Sequence, residues 1–326
     1  MRYKIVAMTD NANRSYDIES EVLERIGGEL TVSECKDPKE IIELCKEADG
    51  IITEYAPITA EVVENLSKCR VISRYGVGYD NVDVDACTRK GIYVANVPDY
   101  CAEEVSDHAL ALMMACARQI AYRDRMVRSC MWDIKGAPIH RIAGKVFAFL
   151  GFGTIARCLL RKIMGFGFGR ILVYDPYVKA EVVRELGAEQ VDLTTALREA
   201  DFVSIHMPAN DATQGLIGEK ELELMRPTAI LINTSRGTIV DEKALADALK
   251  RKALGCAGLD VLEHEPIEPG NALIGLDNCV LTDHVGWCSE EARAELKRKV
   301  AENVRDALEG RRPKYAVNKV EVRYVE

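Results

Sequence analysis

The sequence predicts an α/β protein built from two doubly wound parallel sheets, and three observations carry that prediction. Short β-rich runs alternate with helical stretches along most of the chain, the order that a parallel sheet covered by helices requires. At 326 residues, 48% apolar and 29% charged, the chain has the length of two domains and the apolar content of two cores. Midway, the run Lys145-Val-Phe-Ala-Phe-Leu-Gly151-Phe-Gly153-Thr154-Ile155-Ala156 breaks into a glycine-spaced turn and restarts with helical periodicity, so a second alternating series opens there.

The first hundred residues place strands at Lys4 to Met8, Glu29 to Val32, Gly50 to Thr53, Val71 to Tyr75 and Ile92 to Ala95, each short and rich in Ile and Val. Helices fall near Ile18 to Ile26, Pro38 to Glu47, Thr59 to Leu66 and Val84 to Lys90. A long helix follows from Glu103 to Tyr122. Its Ala109-Leu-Ala-Leu-Met-Met-Ala-Cys-Ala117 core is apolar around more of its circumference than one face needs, so it is buried on two sides. Another subunit or the other domain can supply the second side. The second series reads as six strands, Val146 to Leu150, Ile171 to Tyr174, Phe202 to His206, Ala229 to Asn233, Cys256 to Asp260 and Cys279 to Leu281, the count of a complete dinucleotide fold. Glu290 to Leu308 then forms one amphipathic helix that returns to the first domain. The expected division is residues 1–100 with 290–326 for one domain and 101–289 for the other, two Rossmann-like domains with a hinge at the crossings.

The glycine turn carries chemistry. Gly151 suits the tight turn, Gly153 admits a pyrophosphate close to the backbone, and Ala156 lets helix pack on strand, so that helix N–H groups point at phosphates. A glycine pair alone also marks ordinary turns. Here a strand precedes it, and a second strand, Ile171 to Tyr174, delivers Asp175 about twenty residues on, where a carboxylate bonds an adenosine ribose and repels a 2′-phosphate. NAD is therefore expected over NADP.

Composition removes other classes. The net charge of −9 gives no basic field for nucleic acid or an anionic membrane, and the Lys and Arg between Arg293 and Lys314 are interrupted by acids at helical spacing. The 11 cysteines contain no C-x-x-C pair and read as reduced thiols of a cytoplasmic protein. No run reaches the length of a membrane span, and the start goes into a strand without a signal-peptide core. Histidines far apart in sequence argue against a metal.

Several ordered motifs together resemble the D-isomer-specific 2-hydroxyacid dehydrogenases from end to end: Tyr75-Gly-Val-Gly-Tyr-Asp-Asn-Val-Asp83, Asn96-Val-Pro-Asp99, Gly151-Phe-Gly-Thr-Ile155, Asn233-Thr-Ser-Arg-Gly-Thr-Ile-Val-Asp241, Leu259-Asp-Val-Leu-Glu-His-Glu-Pro266 and Leu281-Thr-Asp-His284. The resemblance implies a catalytic trio of Arg236, Glu265 and His284. It implies that residues 1–100 with 290–326 take the substrate and 101–289 the nucleotide, with the site in the cleft between them, and a substrate set of Tyr75, Gly76, Val77, Gly78, Arg236 and His284, with the Gly76 loop as carboxylate cradle; Trp287, three residues after His284, either walls the substrate pocket or packs between domains and starts the following helix. Cofactor contacts are implied at Gly151, Gly153, Thr154, Ile155, Asp175, His206, Pro208, Thr213, Thr234, Arg236 and Asp260. The continuation His284-Val-Gly-Trp287 looks most like the C-terminal-binding-protein branch or a short phosphoglycerate-dehydrogenase form, and Asp283 stands where the family commonly has Pro. The end at Glu326, with no appended regulatory domain, sets the long phosphoglycerate forms aside. A homodimer and a small 2-oxo or 2-hydroxy acid substrate are further implications.

The trio suits that chemistry. Imidazole titrates near ~6.5 unperturbed and can give a proton to a carbonyl oxygen. The family role of Glu265 is to hold the far nitrogen, and Arg236 would clamp the substrate carboxylate with a planar fork. Each residue alone has a plain structural reading; the ordered set favours catalysis. His206 serves cofactor packing or merely ends a strand, His264 reads as a surface residue, and His108 and His140 fall outside every motif. The rival function is an NAD(H)-sensing corepressor on the same fold, disfavoured by the intact trio and the lack of long polar tails.

Overall fold

The structure, a computed structural model, describes residues 3–8, 15–133 and 138–320. The chain divides into two compact units, Met1–Tyr100 with Ser289–Glu326, and Cys101–Cys288.

The first unit runs β1 (Tyr3–Met8), α1 (Asp17–Glu24), β2 (Gly28–Ser33), α2 (Pro38–Cys45), β3 (Gly50–Thr53), α3 (Ala60–Glu64), β4 (Val71–Arg74), α4 (Val84–Lys90) and β5 (Tyr93–Ala95). All neighbours pair parallel, in the order β2-β1-β3-β4-β5. Asp37 caps α2 by accepting from the N–H groups of Lys39 and Glu40 with Pro38 at the first helical position, and Asp83 caps α4 through the Ala86 N–H. One sheet face buries Val6, Met8, Ile51, Ile72 and Val94 against Ile41, Cys45, Val62, Val63, Ala86 and Cys87 of α2, α3 and α4.

The second unit runs α5 (Ala102–Ala117), α6 (Ile120–Arg128), β6 (Val146–Leu150), α7 (Thr154–Ile163), β7 (Arg170–Tyr174), α8 (Ala180–Glu185), β8 (Glu189–Gln190), α9 (Leu193–Glu199), β9 (Phe202–Ile205), α10 (Glu219–Leu224), β10 (Ile230–Asn233), α11 (Glu242–Lys250), β11 (Cys256–Leu259) and β12 (Cys279–Leu281). Its seven strands are parallel in the order β12-β11-β10-β9-β6-β7-β8. Alternate residues serve opposite faces. Phe147, Phe149, Val173 and Ile232 pack with Leu112, Met113, Leu159 and Ile163 of α5 and α7; Ala148, Leu150, Val203 and Leu231 pack with Leu197, Leu222, Leu245 and Leu249 of α9, α10 and α11. The last helix, α12 (Glu290–Leu308), belongs to the first unit, where Ser73 Oγ donates to the Val300 carbonyl at 3.1 Å and buried Asn303 donates to the Asn96 carbonyl at 3.0 Å.

Three expectations change. The helix expected from Glu103 to Tyr122 is two helices, because Gln119 takes a left-handed backbone, φ 56°, and redirects the chain. The second sheet has seven strands instead of six; the added β8 is two polar residues at the edge. The apolar stretch of α5 finds partners inside its own unit, where Ala109, Leu112, Met113, Cys116 and Ala117 are buried in one core with α7 and the sheet.

Candidate active site

The carboxyl ends of the second sheet gather the motifs. In this parallel sheet β6 has β7 on one side and β9 on the other, so connections diverge there and leave a crevice beyond the strand ends. Gly151 follows β6 at that switch point. It has φ 88°, and a Cβ on it would lie 2.8 Å from the carbonyl carbon and oxygen of His206, so the turn closes only with glycine. Gly153 then caps α7 with no side chain on the helix N–H groups, and a Cβ there would meet nothing within 4 Å, a cradle open to a phosphate. Thr154 starts the helix, and Ile155 follows it.

Asp175 braces this loop. One carboxylate oxygen accepts from the Phe152 N–H at 2.8 Å and the other from the N–H groups of Tyr177 and Val178 at 2.8 and 3.2 Å. Its charge therefore sits beside the glycine turn. His206 directly follows β9 with Nε2 2.8 Å from Ser204 Oγ and its ring 5.8 Å from that of Phe149; burial pushes its pKa down to about 3, so the ring is neutral at ordinary pH. Thr213 folds back on the same loop and donates to the Pro208 carbonyl at 2.7 Å. After β10, the Thr234 hydroxyl oxygen is buried with no hydrogen-bond partner among the described residues. An open glycine cradle, an acid beside it and an orphaned hydroxyl fit a dinucleotide.

Beside that crevice lie the three residues of the expected trio. Arg236, Glu265 and His284 follow β10, β11 and β12, three adjacent strands. His284 Nδ1 is 2.6 Å from one Glu265 oxygen, and the other accepts from the Leu262 N–H at 2.9 Å. Partial burial tends to raise the Glu265 pKa, but the His284 hydrogen bond and charge, the Leu262 N–H and the Arg236 charge outweigh it and hold the carboxyl below its ordinary range. A carboxylate on Nδ1 leaves Nε2 as the nitrogen that can exchange a proton with a ligand.

Several residues outside the sequence expectations build this geometry. Asn233 donates to the Arg236 carbonyl at 2.9 Å and accepts from the Ser235 N–H at 3.0 Å, closing the Arg236 turn. A strand-ending Asn before a turn is a readable signal for that role. Gly237 lets this turn lie on the next one, since a Cβ on it would come within 2.0 Å of the Leu262 carbonyl carbon and oxygen. Glu242 grips the Glu265 loop by accepting from the Glu263 N–H at 3.1 Å and the Asn271 amide at 2.5 Å. Asp260 is buried, and both its carboxylate oxygens are engaged within the protein, accepting from Thr282, Val285 and Gly286 at 2.6 to 3.0 Å. His108 joins that network and so has a place in the site's framework. His264 is exposed, and Trp287 is half-buried just after the His284 turn.

In the first unit, Tyr75, Gly76, Val77 and Gly78 form the loop after β4. The Tyr75 hydroxyl donates to buried Glu19 at 2.6 Å, so the side chain is tied into that unit and the backbone is what the residue offers a ligand. Val97 N–H donates to the Gly76 carbonyl at 2.9 Å and the Asn96 amide to the Val77 carbonyl at 2.7 Å, which fixes the loop. Among the described residues no helix is long and apolar enough to cross a membrane, and no cluster of three or more His, Cys, Asp or Glu could hold a metal.

Comparison with known proteins identifies the family. Residues 110–286 match the D-isomer specific 2-hydroxyacid dehydrogenase, NAD binding domain. The chain is 42% identical over 285 residues to a glyoxylate reductase of Korarchaeum cryptofilum, covering 86% of each chain, and 42% identical over 291 residues to one of Pyrococcus furiosus, again covering 86% of each. The crystal structure of a glyoxylate reductase from Paecilomyes thermophila superposes with a TM-score of 0.87 at 28% identity, over 97% of this chain and 99% of that one. The chain belongs to the D-isomer specific 2-hydroxyacid dehydrogenase family and is an NAD-dependent oxidoreductase acting between 2-oxo and 2-hydroxy acids.

Proposed function

We propose that the chain reduces a small 2-oxo acid to the D-2-hydroxy acid with His284 and Glu265 as acid–base pair and Arg236 on the substrate carboxylate and carbonyl. The observation that carries the reading is the 2.6 Å contact of His284 Nδ1 with Glu265 on the strand next to the one that delivers Arg236. The nicotinamide cofactor supplies the hydride when bound. Glu265 holds the proton on Nδ1 and stabilises the imidazolium; His284 Nε2 gives its proton to the carbonyl oxygen as the hydride arrives at carbon, and in oxidation the same nitrogen takes it back. Arg236 offers two parallel donors, which orient the acid and draw charge onto the carbonyl oxygen. The Gly76 to Gly78 loop supplies backbone donors to the carboxylate. Gly151, Gly153, Thr154, Ile155, Asp175, His206, Pro208, Thr213, Thr234 and Asp260 line or brace the cofactor's place.

The relatives named glyoxylate reductases support a substrate with little or no side chain, and Trp287, three residues after His284, supports an apolar wall against its third substituent. NADH oxidation with glyoxylate, pyruvate, 2-oxoisocaproate and phenylpyruvate tests both statements. Glyoxylate or pyruvate is expected to lead, and Trp287→Ala to shift the ranking toward bulkier acids by about 10-fold. No turnover with any of the four would overturn the reading, and a uniform drop in the variant would remove Trp287 from selection. No relative reported above favours the corepressor alternative. The described cysteines are all free thiols, which supports a reducing, cytoplasmic setting.

A homodimer is the second part of the proposal. None of the residues of α6 is buried, and Ile120, Val127, Met131 and Trp132 are exposed, Trp132 at 88%. Beside them a cavity of about 770 Å³, lined by Gln119, Tyr122, Phe202, Ile230 and Cys256, opens at the amino ends of the strands, away from His284. A second copy covering this face is expected to sediment as a dimer that Val127→Asp with Trp132→Asp converts to monomer; a wild type at the mass of one chain would refute it.

A further inference from the structure

His108 lies on α5, far in sequence from every motif, yet its Nε2 is 2.9 Å from Thr282 Oγ1 and 3.2 Å from Asp260 Oδ1. Thr282 Oγ1 is 2.6 Å from the same Asp260 oxygen and donates its single proton there, so toward His108 it acts as acceptor and the His108 proton resides on Nε2. The chain of donors is therefore His108 to Thr282 to Asp260. Asp260 spends its remaining capacity on one short stretch of backbone, accepting from the Val285 N–H at 3.0 Å and the Gly286 N–H at 2.9 Å, while its own carbonyl accepts from the His284 N–H at 2.8 Å. His284 is thus held on both sides by one buried acid. That stretch needs holding, because His284 has a left-handed backbone, φ 55°, which a non-glycine residue keeps only where its surroundings impose it.

We propose that His108 is a positioning residue for the reduction: through Thr282 and Asp260 it fixes the turn that aims His284 Nε2, and it acts through that turn instead of on the reacting atoms. Three elements meet in the network, α5, the end of β11 and the end of β12, so a loss at His108 is felt two residues before His284 at Thr282 and two after it at Gly286. Simple packing of α5 on the sheet would use the ring's volume and be indifferent to its N–H. Positioning uses the N–H and is indifferent to the volume. The inference rests on His284 being the proton donor.

The test uses the full chain, with kcat and KM for NADH-dependent glyoxylate reduction and NADH affinity from fluorescence titration. His108→Phe keeps volume and loses the donor; it is expected to lower kcat by about 10- to 100-fold, the scale of an ångström of misalignment, with NADH affinity within about twofold. His108→Gln, whose amide can donate from a similar place, should recover most of the loss. Thr282→Val breaks the same chain at its centre and should cost a similar factor, and the double variant should be no worse than the poorer single one. If His108→Phe does not fold, His108→Gln and Thr282→Val carry the comparison. Wild-type kcat in His108→Phe, a His108→Gln variant as impaired as His108→Phe, or losses that multiply in the double variant would each overturn the positioning role. A wild type without reductase activity on any 2-oxo acid would overturn the reading of His284 and this inference with it, whereas an active wild type indifferent to these changes overturns the inference alone.

Discussion

His284 is held in a conformation that costs about 1 to 3 kcal/mol in a non-glycine residue, and the buried Asp260 network opposes that cost. Its ring is held separately, by Glu265. Glu265→Gln should therefore leave the backbone of the turn intact, keep NADH affinity, and lower the reductive kcat by about 100-fold; an unchanged kcat would take Glu265 out of the pair. The depressed pKa of Glu265 also sets a pH trend. Ionised Glu265 contributes stability above the unfolded glutamate pKa, and that contribution is lost as pH falls through the lower folded value. The stability gap between wild type and Glu265→Gln in urea should then close as pH falls through the acid range; a gap that widens in acid would contradict it. Asp175 carries the third residue-scale prediction. Its charge beside the glycine turn should favour NADH over NADPH by about 100-fold in catalytic efficiency, and Asp175→Asn should narrow the margin. Equal efficiency with the two cofactors would refute that placement of charge. Arg236, Glu265 and His284 could be singled out in the sequence because each sits in its own ordered motif, and the fold brings them to three adjacent strands. His108 was not, because its partners are 152 and 174 residues away, and no local spacing records such a contact.

At the scale of elements, the site depends on how closely the turns after β10 and β11 approach each other. Gly237 is the contact point, and Gly237→Ala would set a methyl against the Leu262 carbonyl group. Backbone must move, at a typical cost of about 1 to 3 kcal/mol, and the movement lies between Arg236 and Glu265. The expected result is a lower Tm with a disproportionate fall in kcat/KM; a Tm loss with unchanged kinetics would show that the two turns move independently. Most of the elements were readable, since strands such as Ile230–Asn233 are apolar runs ending in a turn signal. Two were not. Glu189–Gln190 is too short and polar to show a period, and the break at Gln119 has neither Gly nor Pro to announce it.

For the whole molecule, the second unit carries its own core on both faces of its sheet, complete without residues of the first. Residues 101–288 expressed alone are expected to unfold cooperatively and bind NADH while showing no reductase turnover, which calorimetry and fluorescence titration measure; an unfolded fragment would show that its core is not self-sufficient. The return of α12 to the first unit was expected because the second strand series ends before it, but its anchors, Asn303 on Asn96 and Ser73 on the α12 backbone, join distant residues that only the folded chain brings together.

Arg236, Glu265 and His284 all belong to the nucleotide unit, on neighbouring strands of one rigid sheet. On the proposed reading, proton transfer and part of the preference among acids can therefore drift apart in descent: the first unit can vary while the Glu265–His284 contact is kept within the second. A library confined to residues 54–100 should yield variants with altered preference among 2-oxo acids and unaltered NADH affinity, whereas one confined to residues 233–284, which leaves Trp287 untouched, should mostly yield losses for every acid at once.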